Sequence, residues 1–258
     1  MSDIDPRDLL APYTTGLWLP RYRAGAHGDW SISVIATLAQ RGYWGEACPT
    51  GGTAILRGPV VDGAATWMSI VPMEIESQEI GIAAASGHTV VLGLGMGWCA
   101  ANVALNPAAT RVTVVERDAS VIALIDELGV FAQLPDNARA KLTVVEADAL
   151  DWRSDAPVDC IQADIWAGCV EPQKWADVRR IHANIGATSL YFWGQEMELW
   201  RLACRAAGGV PDTLTRAELD ALVAGTGLPL IMSDAPDLPD RIVAGARWWT
   251  PRADGWWG

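Results

Sequence analysis

The sequence predicts an α/β protein: a mostly parallel sheet with helices on both faces, preceded by a small β-rich N-terminal region. Three observations carry this prediction. From His88 onward, short apolar runs alternate with helical patterns. The first run, Val90-Val91-Leu92, opens directly into Gly93-Leu94-Gly95-Met96-Gly97 and then a helix. The second, Arg111-Val112-Thr113-Val114-Val115, ends in Glu116, about 20 residues past the glycines. Strands this apolar must be covered on both faces, which is the condition of a parallel sheet. The expected division is a β-rich, substrate-covering region over 1–86 and an α/β domain with a Trp-rich tail over 87–258.

The elements follow in order. Residues 31–40 fit a short helix or a strand. Residues 53–58 and 65–70 read as paired strands around the turn-like Gly58-Pro59 and Asp62-Gly63. Residues 73–80 either begin a helix or complete the hairpin layer. Strand 89–92 leads to a helix ending at Asn106-Pro107. Strand 111–116 leads to helix 119–128, and strand 141–145 to Glu146-Ala147-Asp148-Ala149. Strand 159–163 ends in Asp164. Helix 173–184 stops at Gly186, and strand 189–193 follows. Residues 196–207 are predicted helical, and a further helix starts at Thr215 with Glu218 as its capping-box partner. Residues 229–232 fit one more strand. The tail carries two tryptophan pairs, Trp248-Trp249 and Trp256-Trp257.

Composition narrows the function classes. With 258 residues, half of them apolar, the chain can bury a sizeable core. There are 19 Lys plus Arg against 31 Asp plus Glu, a formal charge of −12, which argues against a nucleic-acid partner. The five cysteines are odd in number and irregularly spaced, without a CxxC, so reduced thiols are expected and no metal site. The N-terminus lacks the basic-then-apolar order of a signal peptide. No stretch approaches the ~20 apolar residues of a membrane span. A soluble, cytoplasmic protein with no membrane partner is expected. The Trp-rich tail is either core or an interface, so a homodimer is a candidate assembly.

The chemistry-bearing residues cluster at strand ends. Gly93, Gly95 and Gly97 let the backbone turn sharply and approach a ligand. Glu116 stands where a nucleotide-binding βαβ unit places its ribose-binding acid. Trp98 occupies the position where a dinucleotide fingerprint needs a small residue, which turns the reading away from NAD. Asp118 is placed to cap the next helix. Asp148 follows the third strand, and Asp164 closes the fourth at the carboxyl edge, where open α/β sheets bind ligands.

The glycine spacing at 93, 95 and 97 resembles motif I of class I S-adenosylmethionine (SAM)-dependent methyltransferases. Within that superfamily the chain resembles the spermidine synthase-like branch. Ser77-Gln78-Glu79 resembles its aromatic-Gln/His-Glu element, Thr113 to Asp118 its strand-two signature, and Asp148-Ala149 its Asp-Ala pair. The resemblance covers about 53–195 and implies a Rossmann-like fold with SAM as cofactor. It implies that Gly93, Gly95, Gly97, Glu116, Arg117, Asp148, Ala149, Asp164 and Gln78 bind that cofactor. The aminopropyltransferases of the branch carry a second acid three residues after the first, acting as base. Here that position is Ala167, which has no proton acceptor.

The function expected is methyl transfer to a small-molecule acceptor by in-line displacement, with catalysis supplied largely by alignment. Asp164 and Tyr191 are the candidate catalytic residues; Trp166, Trp193 and Gln195 are the candidate acceptor contacts. The alternatives are aminopropyl transfer from decarboxylated SAM, and a non-catalytic SAM-fold binding or scaffold protein.

Overall fold

The structure, a computed structural model, describes residues 13–45, 47–61 and 64–250. The expected turn at Asp62-Gly63, the first five residues, the Cys48 side chain and the Trp256-Trp257 pair lie outside the described residues.

Two sheets make the frame. The first is antiparallel, ordered β1 (Gly25–His27), β2 (Trp30–Arg41), β3 (Ala47–Val61) and β4 (Ala64–Ser69). The 31–40 segment is therefore a strand. Gly58-Pro59 does not turn the chain; it sits in β3 where the register to β4 shifts between Arg57 and Val61. Proline is tolerated at such an irregularity because no ladder N–H is required there.

The second sheet has five parallel strands in the order β7 (Leu142–Glu146), β6 (Ala109–Glu116), β5 (Gly87–Leu92), β8 (Cys160–Ala163), β9 (Ser189–Phe192). The chain starts in the middle and reverses direction across the sheet between β5 and β8, so their carboxyl ends flank a switch point. Alternation of side chains divides the core in two. Val91, Val112 and Val114 face α2 (Trp98–Leu105) and α3 (Ala119–Glu127). Val90, Leu92, Val115 and Ile161 face α5 (Lys174–Ile185). The predicted Rossmann-like sheet with helices on both faces is what forms.

The 73–80 segment belongs to α1 (Pro72–Ala84), a helix laid against the parallel sheet. Its approach depends on Gly81, where a Cβ would stand 2.0 Å from Gln162 Oε1 and 2.5 Å from the Tyr191 ring. After a short α4 (Asp136–Arg139) and α5, three helices form a C-terminal layer: α6 (Gln195–Ala207), α7 (Arg216–Thr226) and α8 (Leu238–Trp249). Met197, Leu199, Leu219, Leu238 and Ile242 make its core, with Tyr43 and Met73 packed in. The capping box at Thr215 and Glu218 is present, with the Thr215 N–H donating to Glu218 at 2.8 Å.

One expectation in this layer needs correction. Residues 229–232 form no strand; one parallel bridge joins Leu190 to Leu230. Pro229 has no N–H to extend the ladder, and the Ile231 carbonyl is instead taken by the Gln195 side chain. The first tryptophan pair of the tail, Trp248 and Trp249, ends α8, where the Trp249 indole donates to the Tyr43 carbonyl at 2.9 Å. No helix among the described residues is long and apolar enough to cross a membrane.

Candidate functional site

A cleft of about 660 Å³ opens over the carboxyl ends of β5, β6 and β8. Glycine, acid and tryptophan residues from distant parts of the chain line it. Three closely spaced backbone reversals shape one wall: Gly93, Gly95 and Gly97 all have positive φ, at 94°, 49° and 79°. Their first duty is toward the chain itself. A Cβ on Gly93 would stand 2.1 Å from the Asp164 carbonyl oxygen, and one on Gly95 2.5 Å from Met68 Sδ. The glycines thus let the turn pass under β8 and under the N-terminal sheet. Gly97 then caps α2 in the left-handed region.

Glu116 is locked in place by that turn. Its Oε2 accepts the Leu94 N–H and its Oε1 the Asp118 N–H, both at 2.9 Å. A carboxylate oxygen carries two lone pairs, so each oxygen keeps one for a ligand. Asp118 caps α3 by accepting the Ser120 N–H at 2.8 Å, as expected, and its second oxygen accepts the Trp30 indole at 2.7 Å. That bond fastens the antiparallel sheet to the cleft, together with the Met96 N–H on Met68 Sδ, and the segment before the sheet is tied in by the Tyr22 hydroxyl on the Met96 carbonyl. Trp30, Leu56, Pro59 and Trp67 bring this sheet in as a wall of the cleft. Arg117 and Asp148 are exposed at the rim, and Ala149 is buried beneath. Asp148 accepts the Leu150 N–H at 2.8 Å, fixing its own turn.

Deeper in, the cleft adjoins a recess of about 30 Å³. Trp67, Gly93, Gly95, Asp164 and Trp166 line both spaces. In the recess Asp164 accepts the Gln78 amide at 2.7 Å, and Gln78 Oε1 accepts from buried Gln162 at 2.6 Å. Burial pushes the Asp164 carboxyl up to about 7, although Lys174 and the Gln78 bond pull the other way. Glu74, on α1, lines the same recess. Burial, with the Asp164 charge facing it, pushes the Glu74 carboxyl up to about 8.

Trp166 and Trp193 wall the recess and have spent their indole donors. Trp166 donates to Asp177 at 2.9 Å, and Trp193 to the Ser77 hydroxyl at 2.8 Å. Behind them lies Lys174, fully buried. Its ammonium donates to the carbonyls of Gly168, Cys169 and Trp193 at 2.8–3.0 Å and stands 4.9 and 5.1 Å from the two indole rings. Burial lowers its pKa. Three fixed carbonyls hold the loop after β8 in shape, so Lys174 is a support of the recess rather than one of its walls.

The structure thus brings Gly93, Gly95, Glu116, Arg117, Asp148, Ala149, Asp164 and Trp166 to one cleft, with Gln78 and Trp193 in the recess below. Gly97 stands behind the turn, against Ile125 and Val130. Two expected site residues lie elsewhere. Tyr191 is buried under α1, donating to the Ser77 carbonyl at 2.6 Å and lying 3.2 Å from the Glu196 carboxyl. Burial and the Glu196 charge raise its pKa well above the usual value, so it is no ready proton acceptor. Gln195 opens α6 and donates to the Ile231 carbonyl at 2.7 Å. Alternation along β9 predicts an inward Tyr191 but does not say that a helix covers that face.

Glu74 and Trp67 were not among the expected site residues. Glu74 lies four residues before Gln78, so once the segment is a helix the two share a face. Trp67 depends on how the antiparallel sheet docks, which local pattern does not specify.

No family model and no curated protein matches this chain in sequence. Solved structures are similar over about half of it. One is the glycopeptide N-methyltransferase MtfA complexed with S-adenosylhomocysteine: 22% identity, TM-score 0.34, 43% of this chain and 41% of that one. Another is a DhpI–S-adenosylhomocysteine complex: 20% identity, TM-score 0.33, 45% of this chain and 54% of that one. A dimethyladenosine transferase from Plasmodium falciparum is similar at 17% identity and TM-score 0.36, over 51% of this chain and 45% of that one. The chain therefore spans about half the length of the structures it matches.

Proposed function

We propose that this chain is a SAM-dependent methyltransferase acting on a small-molecule acceptor. The observation that carries the reading is Glu116: a strand-end carboxylate held by the N–H groups of the glycine turn, with spare lone pairs facing a nucleoside-sized cleft. Cleft volumes of roughly 300–1,000 Å³ are typical of small-molecule sites. Glu116 would take the ribose hydroxyls. Asp148 would take the adenine amino group, and the Ala149 N–H the ring. Gln78 and Asp164 would border the methionyl end. Bound there, SAM supplies a methyl group on a sulfonium, open to in-line displacement. The protein's part is to fix donor and acceptor at attack distance and to keep water out, which is worth several orders of magnitude in rate. The tryptophan walls and the buried floor serve both purposes.

One feature favours a second reading. No Lys, Arg or His among the described residues lines the recess, so a donor carboxylate would find no cationic partner there. Decarboxylated SAM has no carboxylate to place, and aminopropyl transfer would follow.

Isothermal titration calorimetry separates the two. Micromolar binding of SAM and S-adenosylhomocysteine, weakened about 100-fold by Glu116→Ala, is expected on the first reading. Binding of decarboxylated SAM alone supports the second and sinks the first. Incubation of the protein with methyl-labelled SAM and a metabolite pool then identifies the acceptor.

A further inference from the structure

We infer that Glu196 is a positioning residue for the cleft: it is held as a neutral acid, and its proton is the link that keeps α1 and the β2–β3 connection on the body of the protein. This holds whichever donor the cleft takes.

Three fully buried side chains meet one carbonyl at the junction of several elements. Glu196 lies in the first turn of α6, Tyr191 on β9, and Tyr43 in the connection from β2 to β3. The Tyr43 hydroxyl donates to Glu196 Oε2 at 3.0 Å. The Tyr191 hydroxyl donates to the Ser77 carbonyl of α1 at 2.6 Å, and its oxygen lies 3.2 Å from both Glu196 oxygens. Each of these oxygen–oxygen contacts needs a proton between its partners. A phenol carries one. Tyr43 gives its proton to Glu196, and Tyr191 gives its own to the much shorter bond with Ser77. The contact between Tyr191 and Glu196 then has no proton unless the carboxyl brings it. An ionised Glu196 would set lone pairs against lone pairs and bury a charge. A neutral Glu196 completes the cluster: its Oε1 hydroxyl donates to Tyr191, and Oε2 accepts from Tyr43.

The surrounding groups agree with a neutral acid. Tyr43 faces it from the β2–β3 connection, Tyr191 from β9, Cys169 from the loop after β8 and Arg241 from α8. Arg241 acts on it without forming an ion pair, and Cys169 is a thiol whose ionisation burial opposes. Burial pushes the Glu196 carboxyl up to about 7, although its own N–H, the two hydroxyls and Arg241 pull the other way.

The cluster holds two parts of the site. The Tyr191 bond clamps α1 at Ser77, whose hydroxyl accepts the Trp193 indole and whose neighbour Gln78 reaches Asp164. Tyr43 anchors the far end of β2 and β3, the strands that bring Trp30 and Leu56 to the cleft. Once Glu196 ionises, either Tyr191 turns its proton from Ser77 to the carboxylate and frees α1, or the carboxylate withdraws and frees Tyr43. In a chain opened at this junction Glu196 returns to its ordinary range, near pH 4. Opening therefore releases a proton. The hold is complete at low pH and weakens about tenfold per pH unit up to the folded value.

The test is hydrogen–deuterium exchange of the full chain, read by mass spectrometry at about pH 5.5 and about pH 7.5, beside Glu196→Gln. The amide gives a carbonyl to Tyr43 and an NH2 to Tyr191 at every pH. Between the two conditions, exchange at Trp44, Gly45 and the α1 amides should rise about tenfold or more further in the wild type than in the variant. The variant keeps Glu74 and Asp164, so the difference belongs to Glu196. The infrared spectrum of the wild type minus that of Glu196→Gln, at the lower pH, should show a protonated-carboxyl stretch. Tyr191→Phe removes the acceptor of that proton and the bond to Ser77, and should raise α1 exchange roughly threefold or more already at the lower pH. Parallel pH profiles for wild type and Glu196→Gln, a difference spectrum without a protonated carboxyl, or a Tyr191→Phe chain that exchanges like the wild type would each overturn the proposal. So would a wild type whose exchange follows the intrinsic amide rate alone, whether or not Glu196→Gln folds.

Discussion

The cleft has two halves built from the same residue types in opposite surroundings. In the outer half, Glu116 and Asp148 sit at strand ends with backbone N–H groups to accept and solvent nearby. In the inner half, Glu74 and Asp164 lie between tryptophans with little solvent, and both carboxyls are pushed up, to about 8 and about 7. The difference teaches what each half is for. An acid whose oxygens accept backbone N–H groups presents fixed lone pairs, which suits recognition of hydroxyl and amino groups. An acid deprived of water and paired with another holds a proton near neutrality, which suits proton transfer. The outer half depends on the chain's local turns. The inner half depends on long-range packing among α1, β8, β9 and α5.

That contrast breaks most sharply at Lys174. Its ammonium is the buried donor to three carbonyls of the recess scaffold. Lys174→Met leaves those acceptors without it in a dry interior. Removing one side of a buried charged network costs about 3–5 kcal/mol. Urea unfolding monitored by tryptophan fluorescence should show a loss of that order. A loss below about 1 kcal/mol would mean that the inner half is not held by this network.

Glu116→Ala is the corresponding strike at the outer half. It removes the acceptor of the Leu94 and Asp118 N–H groups as well as the ligand contacts. Both hydrogen bonds are part-buried, so stability should fall by about 1–2 kcal/mol. Donor affinity should fall about 100-fold, roughly 3 kcal/mol. Unfolding and titration of one sample give both numbers. If stability fell more than affinity, the outer half would be structural first.

The buried acids make stability depend on pH. Glu74, Asp164 and Glu196 all have carboxyls raised by burial, the last to about 7. In the unfolded chain such groups titrate near pH 4. The folded state therefore holds more protons between about pH 4 and about pH 8, and stability falls as pH rises through that window. The ligand-free protein should melt several degrees lower at about pH 8.5 than at about pH 5.5. Glu74→Gln should flatten the curve. A melting temperature that rises across this interval would contradict the assignment of the inner acids.

How much of this could be read from the sequence follows the same division. The parallel sheet, the glycine turn and the acids at 116, 148 and 164 are local features, set by periodicity and by strand ends, and they stand where the sequence puts them. Gln78 and Trp166 also reach the site. Tyr191 and Gln195 do not, because α1 covers the Tyr191 hydroxyl on β9 and the 229–232 segment takes the Gln195 amide at the start of α6. Helix α8 escapes the sequence reading because Pro239 near its start and Gly245 within it resemble a loop. Gly245 is there for close packing, since a Cβ would stand 2.8 Å from the Tyr43 carbonyl. Glu74 becomes visible only once α1 is known to be a helix, and its pairing with Asp164 only once α1 is laid on the sheet.

The finest test of the contrast is Asp148→Asn. Asp148 is exposed at the rim, and one of its oxygens is engaged with the Leu150 N–H. An asparagine carbonyl accepts that bond equally well, so the turn after β7 should keep its shape and stability should change by less than about 0.5 kcal/mol. What is lost is the charge, and one of the two oxygens becomes an NH2 donor. Opposite an adenine amino group, a donor in place of an acceptor is unfavourable, but water at the rim competes for both partners. S-adenosylhomocysteine affinity should therefore drop about three- to tenfold, far less than for Glu116→Ala. Repeating the titration with the inosine analogue, which has an oxygen in place of the amino group, should reverse the preference. The Asp148→Asn variant should then bind the analogue at least as well as the wild type does. If it does not, Asp148 serves its turn alone, and recognition in the outer half rests on Glu116.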